Sequence, residues 1–381
     1  MKAGGHKDKP LDGEGHYVPL NGHVGILGGG QLGRLLAMAA SRLGLNVHIL
    51  CPEENCPAAR VATSHIVADY TDERALTQLA QMCDVVTYEF ENVPAQSVTT
   101  IIERGASVFP GAKPLAIAQD RLLEKRFVHE IGGQTPIFHP VDDLASLEEG
   151  LKKTGRPAIL KTRHLGYDGK GQTRISPETD DLGATWQDAI EHAWNEIGAK
   201  PSILEAFVPF ECEVSIIAAR SQTGEIALYD PSKNIHDHGI LRTSTVPATI
   251  TAKSEQVIRD LTHKIIAELD YVGVIGIEYF VVGDGEILVN EFAPRVHNSG
   301  HWTEAACTIS QFEQHIRAVC GWPLGDPNRH SNGVMTNLLG SEMDDWRQFA
   351  DEKNTMLTLY GKREGREGRK MGHYTRLASR S

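Results

Sequence analysis

Two glutamates, Glu278 and Glu291, stand on either side of an Asp284-Gly285 turn inside the run GVIGIEYFVVGDGEILVNEFAPR. Asp-Gly is the dipeptide of a tight two-residue hairpin. With Gly283 facing Glu286, counting back along an unbroken ladder sets Glu278 directly opposite Glu291 on one face. Cβ atoms of such a pair lie about 5 Å apart, and two like charges there repel each other. A Mg²⁺ ion shared with nucleotide phosphates would relieve the repulsion, with Mn²⁺ as the alternative, because these hard ions take one or two carboxylates plus phosphate oxygens. Asn290 falls on the opposite face of an ideal strand, which weakens its case as a ligand. A single one-residue bulge would undo the pairing and leave two tolerated surface glutamates.

Three further clusters carry chemistry. Lys161 ends an apolar run and is followed by Gly166-Tyr167-Asp168-Gly169-Lys170-Gly171-Gln172. Alternating glycines let a loop fold over phosphates while its N–H groups and Lys170 neutralise charge. The spacing departs from GxxxxGK[ST] and so from a Walker loop; a solvated hairpin turn is the plain alternative. Gly28-Gly29-Gly30-Gln31-Leu32-Gly33 has dinucleotide-fingerprint spacing and offers backbone N–H groups at a helix N-terminus to any phosphate. With Glu53 at a tolerable distance for a ribose contact, a nicotinamide oxidoreductase stays open, as does a turn that merely seats a helix on a sheet. Finally, Arg295-Val296-His297-Asn298-Ser299-Gly300-His301, which follows Pro294 and contains Gly300, gathers a cation, two imidazoles and small polar groups in seven residues. That density suggests a shaped anion pocket beside the metal, with a solvated loop as the alternative.

The elements that must position these groups follow from hydrophobic period. HVGILGGGQLGRLLAMAASRLGLNVHIL reads as strand, glycine turn, helix and strand, and further short apolar runs at 84–88 and 106–109 extend it into a small parallel sheet closing near Pro110-Gly111. One helix is expected from about Leu115 to Ile131, then prolines 136 and 140 break the pattern before a helix near 144–153. AILKT, the glycine loop, TRIS, a helix near 184–197 and SILEAFV form a compact lobe. From Glu211 the chain is strand-rich, with helices near 254–269 and 307–319. The run GKREGREGRKMGH is too polar for a core. The expected divisions are therefore 1–20, a disordered tail; 21–113, a parallel-sheet domain; 114–204, linker helices and a lid lobe; and 205–381, a last lobe with a basic segment.

Bulk composition narrows the function classes. A formal charge of −12 over 381 residues argues against a nucleic-acid binder. Cys51, Cys56, Cys83, Cys212, Cys307 and Cys320 show no CxxC pair or metal-ligand spacing, which reads as reduced thiols in a cytoplasmic protein and makes a structural zinc site improbable. No apolar run reaches the roughly 20 residues that cross a bilayer, and the first segment holds no apolar stretch for a signal peptide.

GGGQLGR, GYDGKGQ, EYF…NEFAPR and above all RVHNSGHWT, supported by GILRTS and GRKMGH, resemble the N5-carboxyaminoimidazole ribonucleotide synthetases of the ATP-grasp superfamily over roughly residues 23 to 375. The resemblance implies an α/β and α+β chain with an ATP-grasp fold: a Rossmann-like parallel-sheet domain, a small lid lobe and a mixed-sheet C-terminal lobe, as a homodimer. It implies consumption of ATP and bicarbonate to carboxylate the amine of 5-aminoimidazole ribonucleotide. The nucleotide pocket would comprise Arg121, Lys161 on the α- and β-phosphates, the lid Gly166 to Gln172, and a hinge run Glu205, Ala206, Phe207 and Val208 that meets adenine through its backbone. Glu213 would bind ribose, with His236 nearby. Glu278, Glu291 and Asn290 would take the metal. The ribonucleotide would lie among Tyr167, Asp168, Lys170 and either Glu89 or Glu91. Its phosphate would sit near Gly30, Gln31, Leu32, Arg295, Lys362 and Arg369, with His297 and Asn298 alongside. Asp168, Lys170, Arg295 and His297 would serve the chemistry, His297 by orienting an intermediate or accepting its proton. Members usually continue well beyond GRKMGH with a final strand and helix, so a shortened last lobe is expected here. Biotin carboxylase, D-alanine ligase and glycinamide ribonucleotide ligase share the lid logic but not RVHNSGHWT.

Overall fold

The computed structural model describes residues 15–166, 170–176 and 186–380, for residue 186 the backbone alone. The first sheet comprises β1 (His23–Leu27), β2 (Asn46–Leu50), β3 (Ser64–Ile66), β4 (Val85–Tyr88) and β5 (Ser107–Val108), in the order β3-β2-β1-β4-β5. Each of its pairings is parallel. The strands are short apolar runs because both faces are covered. The helix Gln31–Arg42 buries Leu32, Leu35, Leu36 and Ala40, the three- and four-residue spacing of an amphipathic face.

The lid lobe holds β6 (Phe138–Val141), β7 (Ala158–Thr162), β8 (Gln172–Ile175) and β9 (Ser202–Ala206), ordered β6-β9-β7-β8. β9 runs to Ala206, across the division expected at 204/205. β6 was not expected, because Pro136 and Pro140 argue against a strand. It is an edge strand, where a residue without an N–H costs no ladder bond.

The helix expected over 115–131 is two, Ala112–Ala118 and Arg121–Glu130. Asp120 restarts the second by accepting the Leu122 N–H at 2.9 Å. The same carboxylate is ion-paired with Arg163.

The largest sheet comprises β10 (Cys212–Arg220), β11 (Ile226–Leu228), β12 (Ser232–Asp237), β13 (Ile240–Val246), β14 (Gly273–Gly283), β15 (Glu286–Ala293), β16 (Ser331–Leu339), β17 (Thr355–Leu359) and β18 (Lys370–Ser379). Its path is β15-β14-β10-β12-β13-β16-β18-β17, with β11 on β10. Each pairing is antiparallel, a stricter arrangement than the mixed sheet expected.

Two expectations about the ends change. Residues 1–14 lie outside the described residues, but the rest of the expected tail is docked: the Val18 N–H donates to Cys320 O at 3.0 Å and Trp322 Nε1 donates to Val18 O at 2.7 Å. The last lobe, expected to be shortened, ends on β18, which begins inside the GRKMGH run and pairs with β16 from Lys370 to Ser379. Met371 and His373, inside the run expected to be too polar for a core, are buried. Among the described residues no helix is long and apolar enough to cross a membrane.

Candidate functional site

In the first sheet the strand order reverses beside β1, so the crevice outside the carboxyl ends of β1 and β4 is where a parallel sheet of this kind takes ligands. The glycine turn after β1 and Glu89 after β4 meet there. The Gly30 and Gly33 N–H groups donate to the two oxygens of Glu89 at 2.6 and 2.8 Å. Gly28 has φ 119°, and a Cβ on it would stand 2.2 Å from Glu89 Cγ. The glycines therefore make room for a carboxylate of the chain itself. That carboxylate occupies the donors a dinucleotide pyrophosphate would need, so the nicotinamide reading loses its anchor, and an incoming phosphate finds those two N–H groups taken. Burial pushes the Glu89 carboxyl up against the pull of these two bonds. Glu91 is half-buried; burial raises its carboxyl, but the ion pair with Arg295 outweighs it and holds the group low. Both glutamates face one cavity of about 740 Å³, as do Gly30, Gln31, Leu32 and Arg295.

The opposite wall is the β14–β15 hairpin. Glu278 pairs with Glu291. The ladder is not regular: it shifts between Val281 and Gly283, and again at Glu278/Tyr279, where Asn290 is the extra residue. The second bulge lets Asn290 and Glu291 both line the cavity, contrary to the ideal alternation. Asn290 Oδ1 is buried without a hydrogen-bond partner. β15 is the sheet edge, and the helix Arg121–Glu130 covers it. Arg121 Nη1 binds Glu291 Oε2 at 2.8 Å, Glu124 Oε1 accepts the Phe292 N–H at 2.6 Å, and Lys125 Nζ donates to Asn290 O.

The two facing carboxylates of this wall differ in their electrostatics. Burial raises the Glu291 carboxyl, but Arg121 outweighs it and holds the group down at about 2. Glu278 has no such partner, and burial together with Glu291 pushes it up to about 7. Deeper in, Lys161 Nζ binds Glu205 Oε2 at 2.8 Å and Lys125 Nζ stands 3.4 Å from Glu205 Oε1. Although burial opposes ionisation, the two lysines hold Glu205 at about 2. Glu213 Oε2 lies 2.6 Å from His236 Nδ1, and this bond with Glu278 nearby raises the imidazole against the effect of burial.

His297 is fixed on both sides of its Cα by Gln311, which accepts its N–H at 2.9 Å and donates to its carbonyl at 2.7 Å. The hydroxyl of Ser299 lies 2.8 Å from Nδ1, and the Ser299 N–H donates to the same nitrogen at 3.4 Å. Those contacts leave the ring proton on Nε2, which stands 3.8 Å from Glu278 Oε1. Burial, with Arg295 beside it, pushes the imidazole down to about 3. Burial thus favours the neutral imidazole and weakens His297 as an acceptor of the proton it was expected to take. Asn298 also lines the cavity, and both of its amide atoms are buried without partners.

Of the remaining predicted residues, Arg121, Lys161, Gly166, Lys170, Gln172, Glu213 and His236 line the same cavity. Tyr167, Asp168 and Gly169 lie outside the described residues. Gly171 accepts the Thr162 N–H through its carbonyl at 2.8 Å. In the expected hinge run the Ala206 and Phe207 N–H groups are taken by Ile137 O and Pro157 O at 2.8 and 3.1 Å, and the Glu205 side chain binds Lys161. Val208, the last of that run, offers its carbonyl to Phe210 N–H at 3.0 Å. Lys362 is tied to Lys370 O at 2.7 Å, Arg369 bonds the exposed Glu364 carbonyl at 3.2 Å, and the neighbouring Lys370 lines the cavity. Sequence reasoning missed Lys125 and the stacked Phe210 and Phe280 rings, 4.8 Å apart at 6°. Lys125 lies four residues beyond Arg121, so the shared helix face was a signal available for it.

The chain is similar to the ATP-grasp domain family over residues 126–312, to the ribonucleotide synthetase preATP-grasp domain over 22–119, and to the phosphoribosylaminoimidazole carboxylase C-terminal domain over 333–381. It is 52% identical to the N5-carboxyaminoimidazole ribonucleotide synthase of Brucella melitensis, across 94% of this chain and 97% of that protein. A crystal structure of an N5-carboxyaminoimidazole ribonucleotide synthetase in complex with ADP superposes with a TM-score of 0.90 at 40% identity, covering 95% of this chain and 94% of that one. The Aspergillus clavatus N5-carboxyaminoimidazole synthase, in complex with ADP and 5-aminoimidazole ribonucleotide, gives 0.86 at 27% identity, with 94% of each chain covered. With the glutamate pair, the lysines and the first-domain crevice on one cavity, the chain belongs to the N5-carboxyaminoimidazole ribonucleotide synthase family of ATP-dependent, ATP-grasp ligases.

Proposed function

We propose that the chain carboxylates 5-aminoimidazole ribonucleotide with bicarbonate at the expense of ATP, yielding N5-carboxyaminoimidazole ribonucleotide, ADP and phosphate. The observation that carries the reading is the continuity of the cavity, whose walls include both the carboxylate hairpin and the first-domain crevice. Adenine would lie against Ile159, Phe210 and Phe280, with the ribose at Glu213. Lys161, Lys170 and Arg121 would meet the phosphates.

The donor set suits Mg²⁺: two carboxylates and the unpartnered Asn290 Oδ1 are hard oxygen ligands, and Arg121 holds one carboxylate ionised. Glu278, Asn290 and Glu291 would hold the ion, which when bound supplies positive charge to the transferring phosphoryl group. A bicarbonate oxygen attacks the γ-phosphorus, the bond to the bridging oxygen breaks, and ADP leaves, giving carboxyphosphate. Lys161 and Arg121 stabilise the charge that moves. The amine nitrogen then bonds the carboxyl carbon, the C–O bond to phosphate breaks, and the amine proton passes to the departing phosphate. Arg295 and the Nε2–H of His297 orient the carboxyl group during this transfer. Lys362 and Lys370 would serve the ribonucleotide phosphate, with Asp168 and Tyr167 expected alongside. A homodimer and a cytoplasmic setting complete the proposal.

The reading is tested by ATP hydrolysis measured with and without 5-aminoimidazole ribonucleotide and bicarbonate. Turnover that needs both substrates supports it; turnover indifferent to the ribonucleotide contradicts it.

A further inference from the structure

Gly29 lies between the two glycines that accommodate Glu89, and a Cβ on it would meet different neighbours: Cys56 Sγ at 2.4 Å and Cys51 Sγ at 2.6 Å. Cys51 follows β2, and its N–H donates to Ile66 O at 3.1 Å, so it lies beside the strand that carries His65. One ligand atom each from Cys51, Cys56 and His65 fall within 4.8 Å of one another, and Cys56 Sγ is 3.9 Å from His65 Nε2. A tetrahedral zinc ion with Zn–S of about 2.3 Å and Zn–N of about 2.0 Å sets its ligands about 3.5 to 3.8 Å apart, so small side-chain rotations close the cluster. Both cysteines are buried, while His65 is half-buried and gives access.

We propose that Cys51, Cys56 and His65 form a soft-metal site for one zinc ion, tying the end of β2 to β3 behind the glycine turn. Cys56 binds as the thiolate, its proton released to solvent. Cys51 gives up its proton to solvent when the ion binds, and His65 Nε2 exchanges its contact with the Cys51 carbonyl, now 3.2 Å, for the metal. The fourth position is filled by water. A Cys51–Cys56 disulfide would use the same thiols but would have no need of the imidazole, and that distinguishes the two.

The test uses the reduced, chelator-treated full chain titrated with Co²⁺. One equivalent is expected to give a thiolate-to-cobalt charge-transfer band with the strong visible bands of a four-coordinate ion, bleached by one equivalent of Zn²⁺. Binding by the oxygen ligands Glu278 and Glu291 produces no such band. Cys56→Ser abolishes it, His65→Ala weakens Zn²⁺ binding at least about 10-fold, and Cys83→Ser retains both, since loss of a direct ligand costs no less than loss of its supporting group. Circular dichroism checks each variant, and the half-buried His65→Ala carries the test if Cys56→Ser does not fold. Absence of the charge-transfer band in folded wild-type protein overturns the proposal, as does a band and affinity undiminished in His65→Ala.

Discussion

Glu278 and Glu291 face each other across the β14–β15 hairpin because two bulges of opposite sense cancel, one at Val282 on β14 and one at Asn290 on β15. Between the bulges the pairing is displaced by one residue, as in Phe280 with Leu288. The second bulge is held from outside by Glu124 and Lys125 on one helix, through the Phe292 N–H and the Asn290 carbonyl. Arg121 on the same helix holds the Glu291 side chain, so a single turn of helix sets both the backbone and the charge of the candidate metal wall.

Glu291→Gln is expected to lower ligase activity by more than about 10-fold and to raise the Mg²⁺ concentration needed for half-maximal rate, because halving the carboxylate pair weakens metal binding. Steady-state rates across a Mg²⁺ titration check this. A variant with undiminished activity and increased stability would mark the pair as an unrelieved repulsion.

Lys125→Met is expected to cost about 3 kcal/mol of folding stability, since it leaves the buried Glu205 carboxylate with one cation in place of two. It also releases the Asn290 carbonyl, so the KM for ATP should rise. Urea unfolding with parallel kinetics measures both. A change in unfolding free energy under about 0.5 kcal/mol would show that Lys161 alone satisfies Glu205.

Lys362 supplies a pH test. Burial, with Arg369 adding, lowers its ammonium to about 8. Below that pH it is a cation available to the ribonucleotide phosphate; above it the charge is lost. The kcat/KM for the ribonucleotide is therefore expected to fall above pH 8 while that for ATP does not. Lys362→Arg should remove the alkaline limb, because a guanidinium stays charged. A limb that persists in the arginine variant, or that ATP shares, contradicts the assignment.

Much of this architecture was legible because it rests on short-range pattern. The alternation of apolar run, glycine turn and 3.6-residue helix specifies β1, its helix and β2, and the Asp284-Gly285 turn sets the hairpin. The Glu278–Glu291 pairing follows from counting, although the count assumes a regular ladder and bulges are tertiary features. What stayed hidden depends on groups brought together from afar. Glu89 reaches the Gly30 turn from another strand, and Cys51, Cys56 and His65 converge only once β2 and β3 are side by side. Val18 looks like part of a polar tail until Cys320 and Trp322 are there to receive it. Between Arg369 and Lys370, adjacent in a basic run, only the start of β18 decides which side chain reaches the cavity.

In the proposed reaction, ATP phosphorylates bicarbonate before the ribonucleotide is carboxylated. Bicarbonate is a poor electrophile, since delocalised negative charge shields its carbon, and phosphoryl transfer turns one of its oxygens into part of a leaving group. The most direct measurement uses ¹⁸O-labelled bicarbonate and follows the label into released phosphate. One labelled oxygen per carboxylation turnover is the predicted result. Product formed with no label in phosphate would mean that ATP phosphorylates something other than bicarbonate, and would contradict the mechanism.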